Sequence, residues 1–146
     1  MTQLEQFLTR AESLLERLES FLPPAIAAPD WNAGIAFRWR KSSSRGGRGY
    51  LQPVAHLSPI ALDDLHNIGP QKQQIEQNTR QFVEGVPANN VLLTGARGTG
   101  KSSLIKACLN QFADRGLRLI EVDKDDLGDL ADIVDLVSGR PERFII

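Results

Sequence analysis

The sequence has little cysteine, no long apolar run and almost no excess charge. Its one cysteine, Cys108, cannot form a disulfide within the chain, and its place on the apolar side of a predicted helix favours a small buried side chain over a reactive thiol. No apolar run approaches the roughly 18 residues of a transmembrane helix, and the N-terminus lacks the basic and apolar regions of a signal peptide. A net charge of -1 gives no general attraction to nucleic acid or anionic membranes. These absences predict a cytoplasmic protein.

Acidic residues are absent between Asp30 and Asp63, in a segment rich in proline and glycine. Basic and aromatic residues alternate within it over residues 37–50. Two interpretations stay open. Single-stranded nucleic acid could bind there by charge and stacking. Alternatively, residues 35–39 and 50–54 are two strands joined by a basic loop, which the alternation of apolar and basic residues favours.

One stretch carries a chemical motif. Residues 91–103 run Val-Leu-Leu-Thr-Gly-Ala-Arg-Gly-Thr-Gly-Lys-Ser-Ser, and the spacing Gly-x4-Gly-Lys-Ser is that of a phosphate-binding P-loop. An apolar run precedes the loop and an amphipathic pattern follows it, as the motif requires. We therefore expect a buried strand at 91–94, a glycine-rich turn, and a helix that begins near Lys101.

Each residue type in this loop has a physical role. Glycines allow positive φ and close approach of the backbone to a ligand, and the amides at the helix start converge on phosphates. The Lys101 ammonium can reach the β- and γ-phosphates, which makes it the candidate catalytic residue. The Ser102 hydroxyl is the candidate Mg²⁺ ligand. The predicted nucleotide-binding residues of the loop are Gly95, Ala96, Arg97, Gly98, Thr99, Gly100, Lys101, Ser102 and Ser103.

The N-terminal residues 2–22 predict an amphipathic helix. Thr2 and Glu5 form a capping box, and Pro23-Pro24 ends the helix. Its polar face is acidic rather than Lys- and Arg-rich, which disfavours a membrane-surface helix. We expect it to pack on its own domain or on a partner protein. The apolar positions at helical spacing are Leu4, Phe7, Leu8, Ala11, Leu14, Leu15, Leu18, Phe21 and Leu22.

Helices and strands alternate in the second half of the chain. A helix is expected from Gly69-Pro70 to Gly85, a second after the P-loop, and strands at 117–122 and 143–146. Asp125 or Asp126 is the expected N-cap of the helix between those strands. This order predicts an α/β fold with parallel strands and right-handed crossovers. The apolar stripe predicted for that last helix is Leu127, Leu130, Ala131, Val134 and Val137.

A P-loop enzyme also needs an acidic residue at the end of a strand beside the P-loop strand, to hold Mg²⁺ through water. No acid follows the apolar residues 144–146, where the chain stops. Asp123 ends an apolar strand and is the rival candidate, although a turn or capping role explains it equally well. The domain organisation we infer is an N-terminal helix (1–24), a basic Pro/Gly-rich segment that suggests a β-hairpin (25–60), and part of a P-loop domain (61–146).

Several of these stretches resemble the AAA+ P-loop ATPases, and more narrowly a bacterial family of predicted AAA+ ATPases that carries a domain-of-unknown-function label. The residues that carry the resemblance are Asp63-Asp64-Leu65, Ile68-Gly69, Gln71-Lys72, Asn78-Thr79, Phe82, 89–103 and 140–146.

The resemblance implies a five-stranded parallel sheet with the P-loop strand at its centre and a small helical lid. It implies that Leu65 to Gly69, with the candidate binding residues Ile68 and Gly69, lies near the adenine. Whether the protein forms a homo-oligomer stays open. It also implies a Walker B acid pair, a sensor residue and arginine fingers in the later half of the family, none of which is present here. We therefore interpret the chain as the N-terminal part of a longer protein.

The leading hypothesis is ATP and Mg²⁺ binding by part of an AAA+-type ATPase whose remodelling task is unknown, with weak or no turnover from these 146 residues. One alternative is a nucleotide-dependent binding module that does not hydrolyse ATP and engages a partner through its N-terminal helix. A second is a small P-loop kinase in which Asp123 acts as base or metal ligand.

Overall fold

The computed structural model describes residues 2–21, 26–42 and 47–146. Within them, the helices are α1 Gln3–Phe21, α2 Gly69–Val83, α3 Lys101–Phe112 and α4 Leu130–Val137. The strands are β1 Ala36–Lys41, β2 Gly49–Pro53, β3 Leu117–Glu121 and β4 Arg143–Ile145. Short 3₁₀ helices occupy Leu62–Asp64, Ala113–Arg115 and Lys124–Asp129. The predicted α/β class is confirmed.

The described strands form one sheet in the order β2-β1-β3-β4. The predicted hairpin is present, because β1 pairs antiparallel with β2 and Trp39 lies opposite Leu51. β1 also pairs with β3, and β3 with β4, in the parallel sense. The parallel relation expected between the strands near 117–122 and 143–146 is therefore confirmed, and the hairpin belongs to the same sheet as these strands.

The strand predicted at residues 91–94 is absent, and that prediction was wrong. These residues belong to neither a strand nor a helix, and Val91 and Leu92 are 49% and 86% exposed. A strand needs a neighbour to accept and donate its ladder hydrogen bonds, and none of the four described strands pairs with residues 91–94. The expected five-stranded parallel sheet with a central P-loop strand is likewise not found among the described residues.

Side chains of the sheet alternate between two apolar layers. Phe37 and Trp39 of β1 and Ile120 of β3 pack with Ile133 of α4 on one face. The intervening strand positions pack against α3 on the other face, in a cluster formed by Ala36, Leu109, Phe112, Leu117 and Leu119. This two-residue alternation is what burial of both sheet faces requires. Each fully buried large side chain contributes about 1.5–3 kcal/mol, so the sheet between these layers is the stable frame of the protein.

The apolar stripe predicted for α4 was wrong in part. Ile133 is fully buried, whereas Leu127 and Val134 are each 51% exposed. The reason is local, because Asp123 rather than Asp125 or Asp126 caps the segment, accepting a hydrogen bond from the amide of Asp125. A 3₁₀ turn then precedes the α-helix, which begins only at Leu130. Because 3₁₀ and α-helices turn by different angles per residue, the face that meets the sheet is displaced.

A buried tryptophan is hydrogen-bonded to a carboxylate at the edge of the sheet. Trp39 is 2% exposed, and its indole Nε1 donates to Asp129 Oδ2 at 2.9 Å. Lys41 Nζ lies 3.0 Å from the same carboxylate oxygen and 3.2 Å from Asp126. The Trp39 hydrogen bond, followed by Lys41, lowers the pKa of Asp129. This contact joins β1 to the 3₁₀ helix.

We expect Asp129→Ala to destabilise the fold by about 1–3 kcal/mol, because the buried Trp39 N–H loses its acceptor. Asp129→Asn keeps an acceptor and loses only the charge, so it should cost less. Since the carboxylate has a lowered pKa, its stabilising effect is present above about pH 4, the ordinary range of the unfolded chain, and is lost as the pH falls through the folded value. Urea unfolding followed by tryptophan fluorescence at pH 7 and pH 3 measures both effects. The exposed Asp132→Asn is the control, and equal stability of all three variants at pH 7 would contradict the prediction.

Helix α1 begins with the predicted capping box. The Thr2 amide donates to Glu5 Oε2 at 2.6 Å, and the Glu5 amide donates to Thr2 Oγ1 at 3.3 Å. The predicted stop at Pro23-Pro24 lies outside the described residues. Among the helices of the described chain, none combines the length and apolar character needed to cross a bilayer.

Candidate functional site

The loop before α3 is shaped by three glycines with positive φ. Gly95, Gly98 and Gly100 have φ values of 142°, 83° and 87°, and Gly100 is the left-handed N-cap residue of α3. L-residues with a side chain rarely adopt these angles. A Cβ added at Gly98 or Gly100 would meet nothing within 4 Å, so backbone angle rather than crowding requires glycine there. The predicted glycine-rich turn at the start of a helix is therefore present.

The ammonium of Lys101 is folded back into this loop. Its Nζ donates to the carbonyl oxygens of Gly95 at 2.8 Å and Ala96 at 2.6 Å, and to Thr99 Oγ1 at 3.2 Å. The Thr99 hydroxyl in turn donates to the Ala96 carbonyl at 2.8 Å. All three acceptors of the ammonium are uncharged oxygens, so its positive charge is held in place without being neutralised by these contacts. The loop oxygens therefore hold the Lys101 ammonium among the residues that the motif predicts to bind phosphate.

The N-terminus of α3 adds further donors. Its first helical hydrogen bond runs from the Leu104 amide to the Gly100 carbonyl at 2.9 Å, and no side chain caps this end of the helix. The amides of the first turn, including those of Ser102 and Ser103, have no partner inside the helix by its geometry, and the helix dipole favours an anion there. The Ser102 side chain on this turn is exposed, as is that of Arg97 in the loop.

The body of α3 holds this end in position. Leu104, Ala107 and Cys108 are buried in one cluster with Leu62, and Ile68 and Leu93 pack against it. The structure thus brings the predicted residue Ile68 to the buried cluster that α3 helps to form. Burial raises the pKa of the Cys108 thiol to about 11, so the thiol stays protonated at neutral pH, and the predicted burial of this cysteine is confirmed.

The second residue predicted near the adenine, Gly69, begins α2 and is exposed. The segment before α2 is held in place by Lys72, which was named above only among the residues that carry the resemblance. Lys72 Nζ donates to the carbonyl oxygens of Leu62 at 3.0 Å and Leu65 at 3.2 Å. Because Leu62 belongs to the cluster on α3, these bonds fix the start of α2 relative to the helix that carries Lys101.

Asp123 has a structural role. Its carboxylate caps the 3₁₀ helix Lys124–Asp129 by accepting from the Asp125 amide at 3.2 Å. No group of three or more His, Cys, Asp or Glu residues that could hold a metal ion occurs in the described part of the chain. The capping interpretation therefore accounts for Asp123 without a metal.

A cleft of about 580 Å³ lies at the carboxyl ends of β1 and β3, and sequence reasoning missed it. Charges of opposite sign line it, including Arg38, whose Nη2 lies 2.6 Å from Glu121 Oε2. Ligands of α/β proteins commonly bind at this edge of a sheet. No sequence signal could place the cleft, because it depends on the pairing of Arg38 with Glu121 in the β1–β3 register.

The hairpin bears on the nucleic-acid interpretation. Phe37 is fully buried and Trp39 is 2% exposed, so neither ring can stack on a base. Arg38 and Lys41 of the same strand form ion pairs with Glu121 and with Asp126 and Asp129. The alternation that suggested stacking is therefore that of a strand whose aromatic side chains are buried and whose arginine side chains are exposed, which was the other interpretation. Residues 43–46 of the basic loop lie outside the described part.

The region that contains the hairpin, the loop and the sheet matches one known family. Residues 32–146 fit a family model described as a protein of unknown function, DUF815. The chain belongs to the DUF815 family. The DUF815 region includes all four described strands and leaves α1 outside. No curated protein and no solved structure is detectably similar to the chain. The resemblance to a family with a domain-of-unknown-function label is thus confirmed, and its relation to the AAA+ ATPases belongs to the proposal below.

Proposed function

We propose that this DUF815 protein binds ATP together with Mg²⁺ through residues 95–103. The observation that carries the proposal is the Lys101 ammonium, enclosed by a loop of three positive-φ glycines at the uncapped start of a helix. A polyphosphate requires such an arrangement: backbone amides aimed at its oxygens, a mobile cation, and no side chain between them.

The residues present fit the nucleotide. Lys101 can exchange its three uncharged acceptors for the charged β- and γ-phosphate oxygens, because charge-assisted hydrogen bonds are roughly twice as strong as neutral ones. The amides of the first turn of α3 supply the remaining donors. Mg²⁺ prefers oxygen ligands and keeps several waters, and the exposed Ser102 hydroxyl is the ligand this chain would offer it. When bound, the ion would neutralise phosphate charge.

We further propose that the domain is related to the AAA+ ATPases. Two observations support this extension: the P-loop motif leads into a helix of an α/β domain, and Ile68 packs against the buried cluster that α3 helps to form. In this proposal Ile68 and Gly69 lie on the adenine side of the nucleotide, while the loop holds the phosphates.

Binding without efficient hydrolysis is the expected activity of these residues. Phosphoryl transfer depends on positioning and on stabilising the charge of the transferred group. Glu121 at the end of β3 is paired with Arg38, and Asp123, two residues further on, caps a turn. We therefore expect slow or no phosphate release, so that the protein acts as a nucleotide-dependent binding module. The exposed apolar face of α1 favours this second function, because a partner could engage it.

Calorimetric titration of the full chain with Mg-ATP tests the proposal, with phosphate release measured on the same material. We expect one nucleotide per chain, competition by tripolyphosphate, and release near the uncatalysed rate. Tripolyphosphate is the informative competitor, because it carries the group that the loop contacts and lacks the base. No uptake of any Mg-nucleoside triphosphate by folded protein would refute the proposed function, whereas hydrolysis at an ordinary ATPase rate would refute only the expected lack of turnover.

A further inference from the structure

We propose that α1 mediates parallel self-association, with the α1 helices of two copies aligned in the same direction. The helix lies outside the matched family region, and its apolar side chains are exposed. The exposed fractions of Leu4, Phe7, Leu8, Leu14, Leu15, Leu18 and Phe21 range from 51% to 81%. They contrast with the fully buried Phe37 and Ile120 of the sheet.

The spacing of these residues is that of a helix–helix seam. Counted from Leu4, the apolar positions recur at alternating intervals of three and four residues, through Phe7, Leu14, Leu18 and Phe21, with Ala11 between. This is the a and d pattern of a coiled coil over nearly three heptads. Leu8 and Leu15 widen the seam on one side. A seam this regular is complementary to a second helix of the same kind.

The area is sufficient for a specific interface. The seven exposed side chains present on the order of 800 Å² per helix, which matches the roughly 800 Å² that each partner contributes to a standard protein–protein interface. A helix of 19 residues is about 28 Å long, so nearly the whole length of α1 has to participate. A contact between only the ends of two helices would bury too little.

The charged residues beside the seam determine which partner α1 selects and whether the two helices run parallel or antiparallel. At 100° per residue, Arg10 and Arg17 lie along one edge of the apolar stripe, and Glu5, Glu12 and Glu19 lie along the other. When two copies pack side by side in parallel, a two-fold axis brings the basic edge of each helix against the acidic edge of the other. Antiparallel packing instead brings like charges together on both edges, which is unfavourable. The helix is thus complementary to itself in the parallel orientation.

A bilayer is a less suitable partner for this face. Among the described residues of α1, four glutamates accompany two arginines, so its polar side is acidic, whereas helices that lie on anionic membranes carry mainly Lys and Arg there. The charge on both edges therefore favours a second copy of the chain.

Light scattering on the full chain over a range of concentrations tests the proposal. We expect a mass at least twice the 16.1 kDa of one chain, and a return to 16.1 kDa for Leu14→Asp combined with Leu18→Asp. Both tryptophans, Trp31 and Trp39, are buried in the sheet region, so unchanged tryptophan fluorescence shows that the rest of the fold is intact. A wild-type chain that is monomeric at all concentrations overturns the proposal. The same holds if α1 is then found to dock on its own chain or to bind phosphatidylglycerol vesicles.

Charge exchange tests the direction. Arg10→Glu with Arg17→Glu makes both edges acidic and should abolish association. Adding Glu12→Arg and Glu19→Arg exchanges the edges and should restore it. In an antiparallel pair, like charges would face each other on each edge both with and without Arg10→Glu and Arg17→Glu, so that double variant would leave the association unchanged and would overturn the parallel arrangement. Arg10→Glu alone should weaken the association. Its control is Thr9→Glu with Ser13→Glu, which changes the net charge by the same amount on the opposite side of the helix and should leave the mass unchanged.

Cross-linking gives an independent measure of direction. Gln3→Cys places a thiol at one end of α1 and leaves the apolar residues intact, while the native Cys108 is buried. A short bismaleimide should join two chains through position 3 when the helices are parallel. In an antiparallel pair the two thiols would be separated by about the 28 Å length of the helix. Self-association without this cross-link would overturn the parallel arrangement.

Discussion

Lys101→Ala is expected to weaken Mg-ATP binding by roughly 100-fold, a loss of about 2.7 kcal/mol. The ammonium is the cation that the loop encloses, with its Nζ 2.8 Å from the Gly95 carbonyl and 2.6 Å from the Ala96 carbonyl. Removing it deletes a charge-assisted contact to the phosphates, which contributes about 1.5–3 kcal/mol. It also leaves these two carbonyl dipoles directed into the loop, where they oppose an anion. Isothermal titration calorimetry measures the change.

The control for this substitution is Lys124→Ala, which removes the same charge from an exposed position on the 3₁₀ helix Lys124–Asp129. Its affinity for Mg-ATP should equal that of the wild type. Lys101→Arg is a second comparison, because it keeps the charge but replaces a compact ammonium with a planar fork, and we expect intermediate binding. If Lys101→Ala binds as tightly as Lys124→Ala, the loop is not the nucleotide site.

Gly49→Ala is expected to destabilise the protein by about 3 kcal/mol or more, because overpacking a filled core forces side chains and backbone to move. A Cβ at Gly49 would lie far inside the van der Waals contact distance of three carbon atoms of the Trp39 indole. That ring is buried, and its Nε1, next to these carbon atoms, donates a hydrogen bond to Asp129, so the ring cannot swing away without breaking that bond. The backbone at Gly49 is not in the left-handed region, so the effect arises from contact alone. Thermal and urea unfolding measure it.

Gly128→Ala provides the matched control, since a Cβ there would meet nothing within 4 Å. Both substitutions restrict the unfolded chain equally, so the difference between them isolates the contact with Trp39. Surface changes of this kind usually stay within about 0.5 kcal/mol. In a Trp39→Leu background the effect of Gly49→Ala should shrink, as expected for residues in contact. An unchanged effect in that background would show that the indole is not the cause.

The loop could be predicted almost completely from the sequence. Its positive-φ residues are the glycines of the motif, and the hydrogen bonds of Lys101 reach only five or six residues back along the chain. The capping box at Thr2 and Glu5 is equally local. Such features depend on neighbours that are fixed by spacing, so no knowledge of the fold is needed to locate them.

The errors concern features that depend on distant partners. Residues 91–94 have the apolar character of a strand, but the described sheet provides no strand beside them. The buried face of α4 differs from the predicted apolar stripe because Asp123 caps a 3₁₀ helix that precedes α4. The basic and aromatic residues of β1 left two interpretations open, and pairing with β3, which places Phe37 and Trp39 in the core, selects the favoured one, a strand. In each case the local pattern permits two structures, and the neighbouring elements select one.

The sequence by itself determined the α/β class, the hairpin, the glycine turn with Lys101 and Ser102, and the amphipathic helix with its charged edges. These follow from periodicity and short spacings, which act within a few residues of the chain. Tertiary structure alone decided that β1 joins β3, that Ile68 meets the cluster on α3, and that the face of α1 stays exposed. Strand pairing and burial are contacts between residues far apart in sequence, and their free energy depends on which surfaces are available to meet.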